Sequence, residues 1–116
     1  MKIKICDTFL SRIKGLMVQK EGHALLDFKK EGIWKIWMFG MRYDLILYFI
    51  NQKGIVVGKE YAPKLTFNPF TWKTYYAKSP YRYVLEIDAR DKNAPSFMIG
   101  ENVLSFIKQA IKSIKH

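Results

Sequence analysis

LILYFINQKGIVVGKEYAP, residues 45–63, decides the fold. Its first six residues are apolar without a break, the pattern of a strand covered on both faces. Asn51-Gln52-Lys53-Gly54 then interrupts the run, and Gly54 can take a positive φ, so these four residues predict a hairpin turn. Ile55 onward reads as the return strand, ending at Pro63, which has no N–H for a ladder.

The flanking sequence supplies further elements. Lys2–Cys6 alternates polar and apolar with period two and predicts a half-buried strand. In DTFLSRIKGLM, residues 7–17, Phe9, Ile13 and Leu16 or Met17 recur at helical spacing behind a capping Asp7 or Thr8, which predicts a short helix. EGHALLDF, residues 21–28, turns at Gly22 into an apolar strand, and KKEG at 29–32 reads as a turn. IWKIWMF, residues 33–39, alternates at first and predicts a strand, with Gly40 as a bend. Residues 62–80 read as irregular, with Pro63, Pro69 and Pro80. YRYVLEIDA at 81–89 predicts a strand, RDKNAPSFMIG a loop, and ENVLSFIKQAIKSIKH a C-terminal amphipathic helix with Val103, Ile107, Ala110 or Ile111, and Ile114 as its apolar stripe. The expectation is one β-rich α+β domain over residues 1–116.

Composition bounds the function. The chain has 116 residues, 49% of them hydrophobic and 16% aromatic, which suits a packed core rather than disorder. The net charge of +10 is spread as +5, +2 and +3 over residues 1–43, 44–91 and 92–116. A field of this sign attracts polyanions and anionic lipid surfaces, and it also keeps a protein soluble. No apolar run approaches the roughly 20 residues of a spanning helix. Met1–Cys6 has no secretory h-region. The one cysteine, Cys6, cannot form an intramolecular disulfide, so a cytoplasmic location is expected.

The chemistry-bearing residues divide into two sets. The first surrounds WMFGMRYDL, residues 37–45. Trp34, Trp37, Met38, Phe39 and Met41 supply large apolar area and read as core. The alternative is a partly open pocket lined by Trp37 and Met38, with Arg42 and Asp44 at its mouth and Glu86 nearby. Asp44, Glu86, Asp88 and Glu101 are the carboxylates that could do acid–base work, but Glu86 and Asp88 share one face of a strand and read as its solvated side. The second set is residues 53–83, rich in lysines and rings. Lys64, Lys73, Lys78 and Arg82, interleaved with Trp72, Tyr75 and Tyr76, suit phosphates and stacked bases. The alternative is that these rings pin a long loop onto the domain. Cys6, His23 and His116 have no metal-ligand spacing, and there is no phosphate loop or dinucleotide fingerprint, so no metal or cofactor is expected.

SRIKGLM, GHALLDF, WMFGMRYDLILYFINQKGIVV, YVLEIDA and MIGENV, in that order and spacing, resemble the DUF192 family, also called UPF0127, small domains of archaea and bacteria. The resemblance covers residues 11–104. It implies a compact β-rich, barrel-like domain and no enzyme class. The family's usual Pro-Leu-Asp is Asp44-Leu45-Ile46 here. Asp44 lies two residues before the family's aspartate position and, on a strand, on the same face. The glycine that usually follows LE-x-x-A is Arg90, and the late acidic residue is Glu101 rather than aspartate.

The leading functional expectation is noncatalytic binding of an anionic partner, such as single-stranded nucleic acid, through residues 53–83. A small enzyme or small-molecule binder using the pocket near Trp37, Arg42, Asp44 and Glu86 is the second. Peripheral binding to an anionic membrane through the C-terminal helix is the third.

Overall fold

The hairpin forms as expected: β4 (Leu45–Ile50) turns at 51–54 into β5 (Val56–Ala62), with Gly54 at φ +89°. The computed structural model describes residues 3–6, 23–37, 43–64 and 74–114. The further elements are β1 (Ile3–Cys6), β2 (His23–Gly32), β3 (Ile36–Trp37), β6 (Thr74–Tyr75), β7 (Tyr81–Asp88) and α1 (Leu104–Ile114). The helix predicted over residues 7–17 lies outside the described residues.

Five strands form one sheet in the order β1-β2-β7-β4-β5. β1 runs parallel to β2, and the other pairs are antiparallel. β4 lies between β7 and β5 and packs on both faces, Leu45, Leu47 and Phe49 on one and Tyr48 and Ile50 on the other, which accounts for its unbroken apolar run. α1 packs on one face, where Val103, Ile107 and Ala110 meet Leu25, Tyr48, Ile50, Leu85 and Ile87. The other face carries Ala24, Leu26, Leu45, Leu47, Phe49 and Val84 beneath Tyr43, Tyr75, Ala77 and Tyr81. The α+β, predominantly β organisation therefore matches the sequence reading. Among the described residues the sheet is open, with β1 and β5 as its edges.

Two local readings are corrected. KKEG is not a turn: residues 29–32 continue β2 through a bulge, the register to β7 shifting between Asp27 and Gly32. Lys29 sits in the left-handed region at φ +71°, and its N–H donates to Asp27 Oδ1 at 2.8 Å. IWKIWMF does not start as a strand at Ile33: residues 33–35 leave the sheet, and Ile36–Trp37 pairs with Thr74–Tyr75 in a separate ribbon. Tyr81 Oη donates to the Trp34 carbonyl, and the Trp34 ring stacks on Phe28 at 5.1 Å, which anchors the departure point.

The bulge is held by charge. Arg82 donates to Asp27 through Nε at 2.9 Å and Nη2 at 3.2 Å. Burial works against the Asp27 charge, but the Arg82 and Lys29 bonds outweigh it and hold the carboxyl below its usual range. Asp27→Ala leaves Arg82 half-buried without this partner and removes the acceptor for Lys29, so about 2 kcal/mol of stability is lost. Urea midpoints of the two proteins measure this; a change near zero removes the bulge from the list of stabilising features.

Candidate functional site

β7 lies between β2 and β4, which cover its two edges, and the two core layers cover its faces. Leu85 and Ile87 face α1. Glu86 and Asp88 point to the opposite face. Glu86 stands across from Ala24 on β2 and Leu47 on β4, and Asp88 from Leu45. These neighbours are inaccessible, and the two carboxyl residues are only 6% and 4% exposed. The reading of Glu86 and Asp88 as a solvated side is therefore wrong: a strand with partners on both edges and packing on both faces has no solvated side.

The two carboxyls are treated differently. Asp88 accepts from Arg90 Nε at 3.0 Å, Nη2 at 2.9 Å and the Arg90 N–H at 2.9 Å. The guanidinium lies 4.5 Å from the centre of the Tyr43 ring, a cation–π contact. Among the described residues no donor is hydrogen-bonded to Glu86. Burial alone pushes its carboxyl up to about 7. Glu86 is thus poised between a neutral donor and a charged acceptor near neutral pH.

His23 lies on the other face, with Ile87: it precedes Ala24, which stands across from Glu86. Its Nδ1 accepts from the Asp88 N–H at 3.0 Å, so the ring proton is on Nε2, which donates to Asp91 Oδ2 at 2.9 Å. Both nitrogens are committed, and the pair clasps the loop after β7 to the start of β2.

The sequence-based pocket is only partly brought together. Met38, Arg42 and the Trp37 side chain lie outside the described residues. Asp44 and Glu86 fall on opposite faces of the sheet. By alternation Asp44 goes with Ile46, as the family comparison of positions suggested, while Glu86 faces with Leu47. Tyr61, cross-strand from Ile46, donates its hydroxyl to Asp44, and the Lys64 N–H donates at 2.8 Å. These two bonds hold the Asp44 carboxyl below its usual range.

The basic aromatic set also divides. Tyr75 is buried in the core over Phe49 and Leu47, so it is not a stacking ring. Arg82 is committed to Asp27 and lies over the Tyr83 ring, so it is not a free phosphate ligand. Tyr76, Lys64 and Lys78 are exposed. Trp72 and Lys73 lie outside the described residues. The sequence reading missed the Arg90–Asp88 pair, two residues apart at the end of β7, and the His23–Asp91 pair, which joins β2 to the loop after β7. Val84 was the available signal for Glu86: it shares the Glu86 face, and an apolar neighbour two residues away marks that face as covered.

The DUF192 family model, described as an uncharacterised conserved group, matches residues 1–103. The chain belongs to the DUF192 family. A UPF0127 protein of Thermococcus kodakarensis is 33% identical over 89 residues, which is 73% of this chain and 52% of the relative. The chain therefore spans about half the length of that relative. Two solved structures share the DUF192 chain's fold. A candidate transcription regulator of Sinorhizobium meliloti has a TM-score of 0.65 at 21% identity, over 75% of this chain and 67% of its own. A protein of unknown function from Novosphingobium aromaticivorans has a TM-score of 0.64 at 20% identity, over 76% and 63%. At such identities the likeness concerns the fold alone. Among the described residues of this DUF192 domain no helix is long and apolar enough to cross a membrane, and no cluster of metal-ligating side chains forms.

Proposed function

We propose that this domain binds a small, mostly apolar molecule on the Glu86 face of the sheet, with the Glu86 carboxyl as its polar anchor. One observation carries the reading: a carboxyl buried among Ala24, Leu47 and their neighbours has no donor among the described residues. The residue is only 6% exposed, so a bound amine or amide N–H meets this carboxyl with little competing water and gains more than the same group does at the surface. The reading is noncatalytic. General acid–base work needs a second positioned group, and among the described residues Asp88, the carboxyl on the same face, is held by Arg90. The lone Cys6 supports a reducing, cytoplasmic setting for this activity.

Ligand-observed NMR with a panel of aryl-alkyl amines and the matching amides tests it. At least one member binds the wild type and binds Glu86→Gln about tenfold more weakly, as loss of a charge-assisted bond requires. A panel with no binder, or equal affinity for the two proteins, overturns the reading.

A second reading keeps the anionic partner. Tyr76, Lys64 and Lys78 remain exposed on a chain of net charge +10, which supports a reduced stacking surface for single-stranded RNA. Fluorescence anisotropy of a labelled mixed-sequence RNA then falls steeply as salt rises, and Lys64→Ala/Lys78→Ala weakens binding and flattens that slope. No binding at low salt ends this reading.

A further inference from the structure

The third expectation placed a membrane on the apolar stripe of the C-terminal helix. That stripe is spent: Val103, Ile107 and Ala110 are buried against the sheet. Among the described residues the most exposed of the large apolar side chains lie just before the helix. Met98 is 76% exposed and Ile99 66%, side by side at the apex of the turn over residues 98–101. Scattered single apolar residues on a surface are ordinary, but two adjacent ones on a fixed apex form a knob.

The apex is fixed from both sides. The Glu101 N–H donates to the Met98 carbonyl at 3.1 Å, and the Met98 N–H donates back to Glu101 Oε1 at 3.1 Å. Gly100, at φ +95°, donates to the Val56 carbonyl at 2.7 Å, and the Val56 N–H donates to Glu101 O at 2.9 Å. The knob is thus fastened to the start of β5 and cannot fold its side chains inward by collapse of the turn.

Cations flank it. Lys59 Nζ reaches the carbonyl of Phe97, the residue before Met98, at 3.4 Å. Lys53 lies in the adjoining 51–54 turn, which is tied to the helix start by the Val103 N–H donating to Gly54 O at 2.8 Å. Leu104 abuts Gly54, and Lys108 and Lys112 follow Leu104 at four-residue steps, so they extend the same side of α1 as an exposed basic ridge. The one acidic group in the turn, Glu101, is engaged with the Met98 amide.

We propose that this turn docks on an anionic lipid surface, with Met98 and Ile99 entering the interface and Lys53 and the Lys108–Lys112 ridge meeting the headgroups. Apolar insertion and charge attraction act together in such contacts, and either alone is weak and reversible. The proposal is independent of the ligand reading for Glu86, which lies on the face of the sheet away from α1.

Cosedimentation with vesicles tests it. The full chain pellets with equimolar phosphatidylglycerol and phosphatidylcholine, does not pellet with phosphatidylcholine alone, and is released by salt. Met98→Ser/Ile99→Ser reduces binding about tenfold or more, the transfer of several buried carbons. Its urea unfolding curve stays unchanged, because both side chains are exposed. Lys108→Glu/Lys112→Glu reduces binding to the anionic vesicles. Failure of the wild type to pellet, or equal pelleting of the Ser variant, overturns the proposal. A concentration-dependent dimer in sedimentation velocity that the Ser variant abolishes also overturns it and assigns the knob to a second copy of the chain.

Discussion

Between about pH 4.5 and about pH 7 the domain loses about 3 kcal/mol of stability through Glu86 alone. In the unfolded chain a glutamate titrates near 4.5, and in the folded protein burial raises this one to about 7. Within that window the folded state holds a proton that the unfolded state has released. Stability therefore falls as pH rises, by about 1.4 kcal/mol per unit at most, and levels off once both states are charged. The contribution is fully present below the unfolded value and lost as pH passes the folded one. Asp27, Asp44 and Asp91 work in the opposite direction but elsewhere on the scale. Their carboxyls are held below 3.8, so their contributions are lost only in stronger acid. Glu86→Gln removes the proton and keeps the shape. Its urea midpoint is level through the same window and exceeds that of the wild type above pH 7 by the equivalent of about 3 kcal/mol, nearly matching it in mild acid. Parallel pH profiles for the two proteins contradict the burial of a lone carboxyl at this position.

As the proposed anchor, Glu86 fits the general pattern in which a binding group is held in an environment that does not suit it until a ligand arrives. The rest of the polar interior shows the contrast. Asp27 meets Arg82, Asp88 meets Arg90, and His23 meets Asp91 and a backbone amide. In each, the interior group has a partner that satisfies it, and each ties a loop or bulge to the sheet. Glu86, at the centre of the same sheet, ties nothing to anything among the described residues, and that difference singles it out.

Much of the frame was legible because it rests on local periods. The apolar run 45–50, the glycine turn and the helical stripe 103–111 each carry their own signal. What failed needed register between strands. Period two relates Asp44 to Ile46 and Glu86 to Asp88, but only the pairing of Leu47 with Glu86 reveals that the two carboxylates face opposite ways. KKEG misled because a bulge with a left-handed residue uses the same small and polar composition as a turn. Tyr75 and Tyr76 were grouped as one platform although neighbours on extended backbone point to opposite sides. One of them had to turn inward, and it is Tyr75.

Gly54→Ala is expected to cost about 3 kcal/mol, well above the ordinary price of a surface glycine. Two separate effects meet at this residue. Its φ of +89° disfavours any side chain by about 1 kcal/mol. A methyl group there also stands 2.5 Å from Leu104 Cβ and 2.9 Å from Leu104 Cα. The second contact is with backbone, so no rotamer of Leu104 relieves it, and the start of α1 must move off the hairpin. That movement breaks the bond from the Val103 N–H to Gly54 O and loosens the packing of Val103 and Ile107 on the sheet. Gly100 supplies the control. It has a similar φ of +95°, but an added methyl meets nothing within 4 Å. Gly100→Ala therefore loses only the backbone part, about 1 kcal/mol. The difference between the two urea midpoints measures the contact between the 51–54 turn and the helix. Equal losses in the two variants mean that the helix start yields freely, and the hairpin and helix are then joined by the apolar core rather than by this close backbone approach.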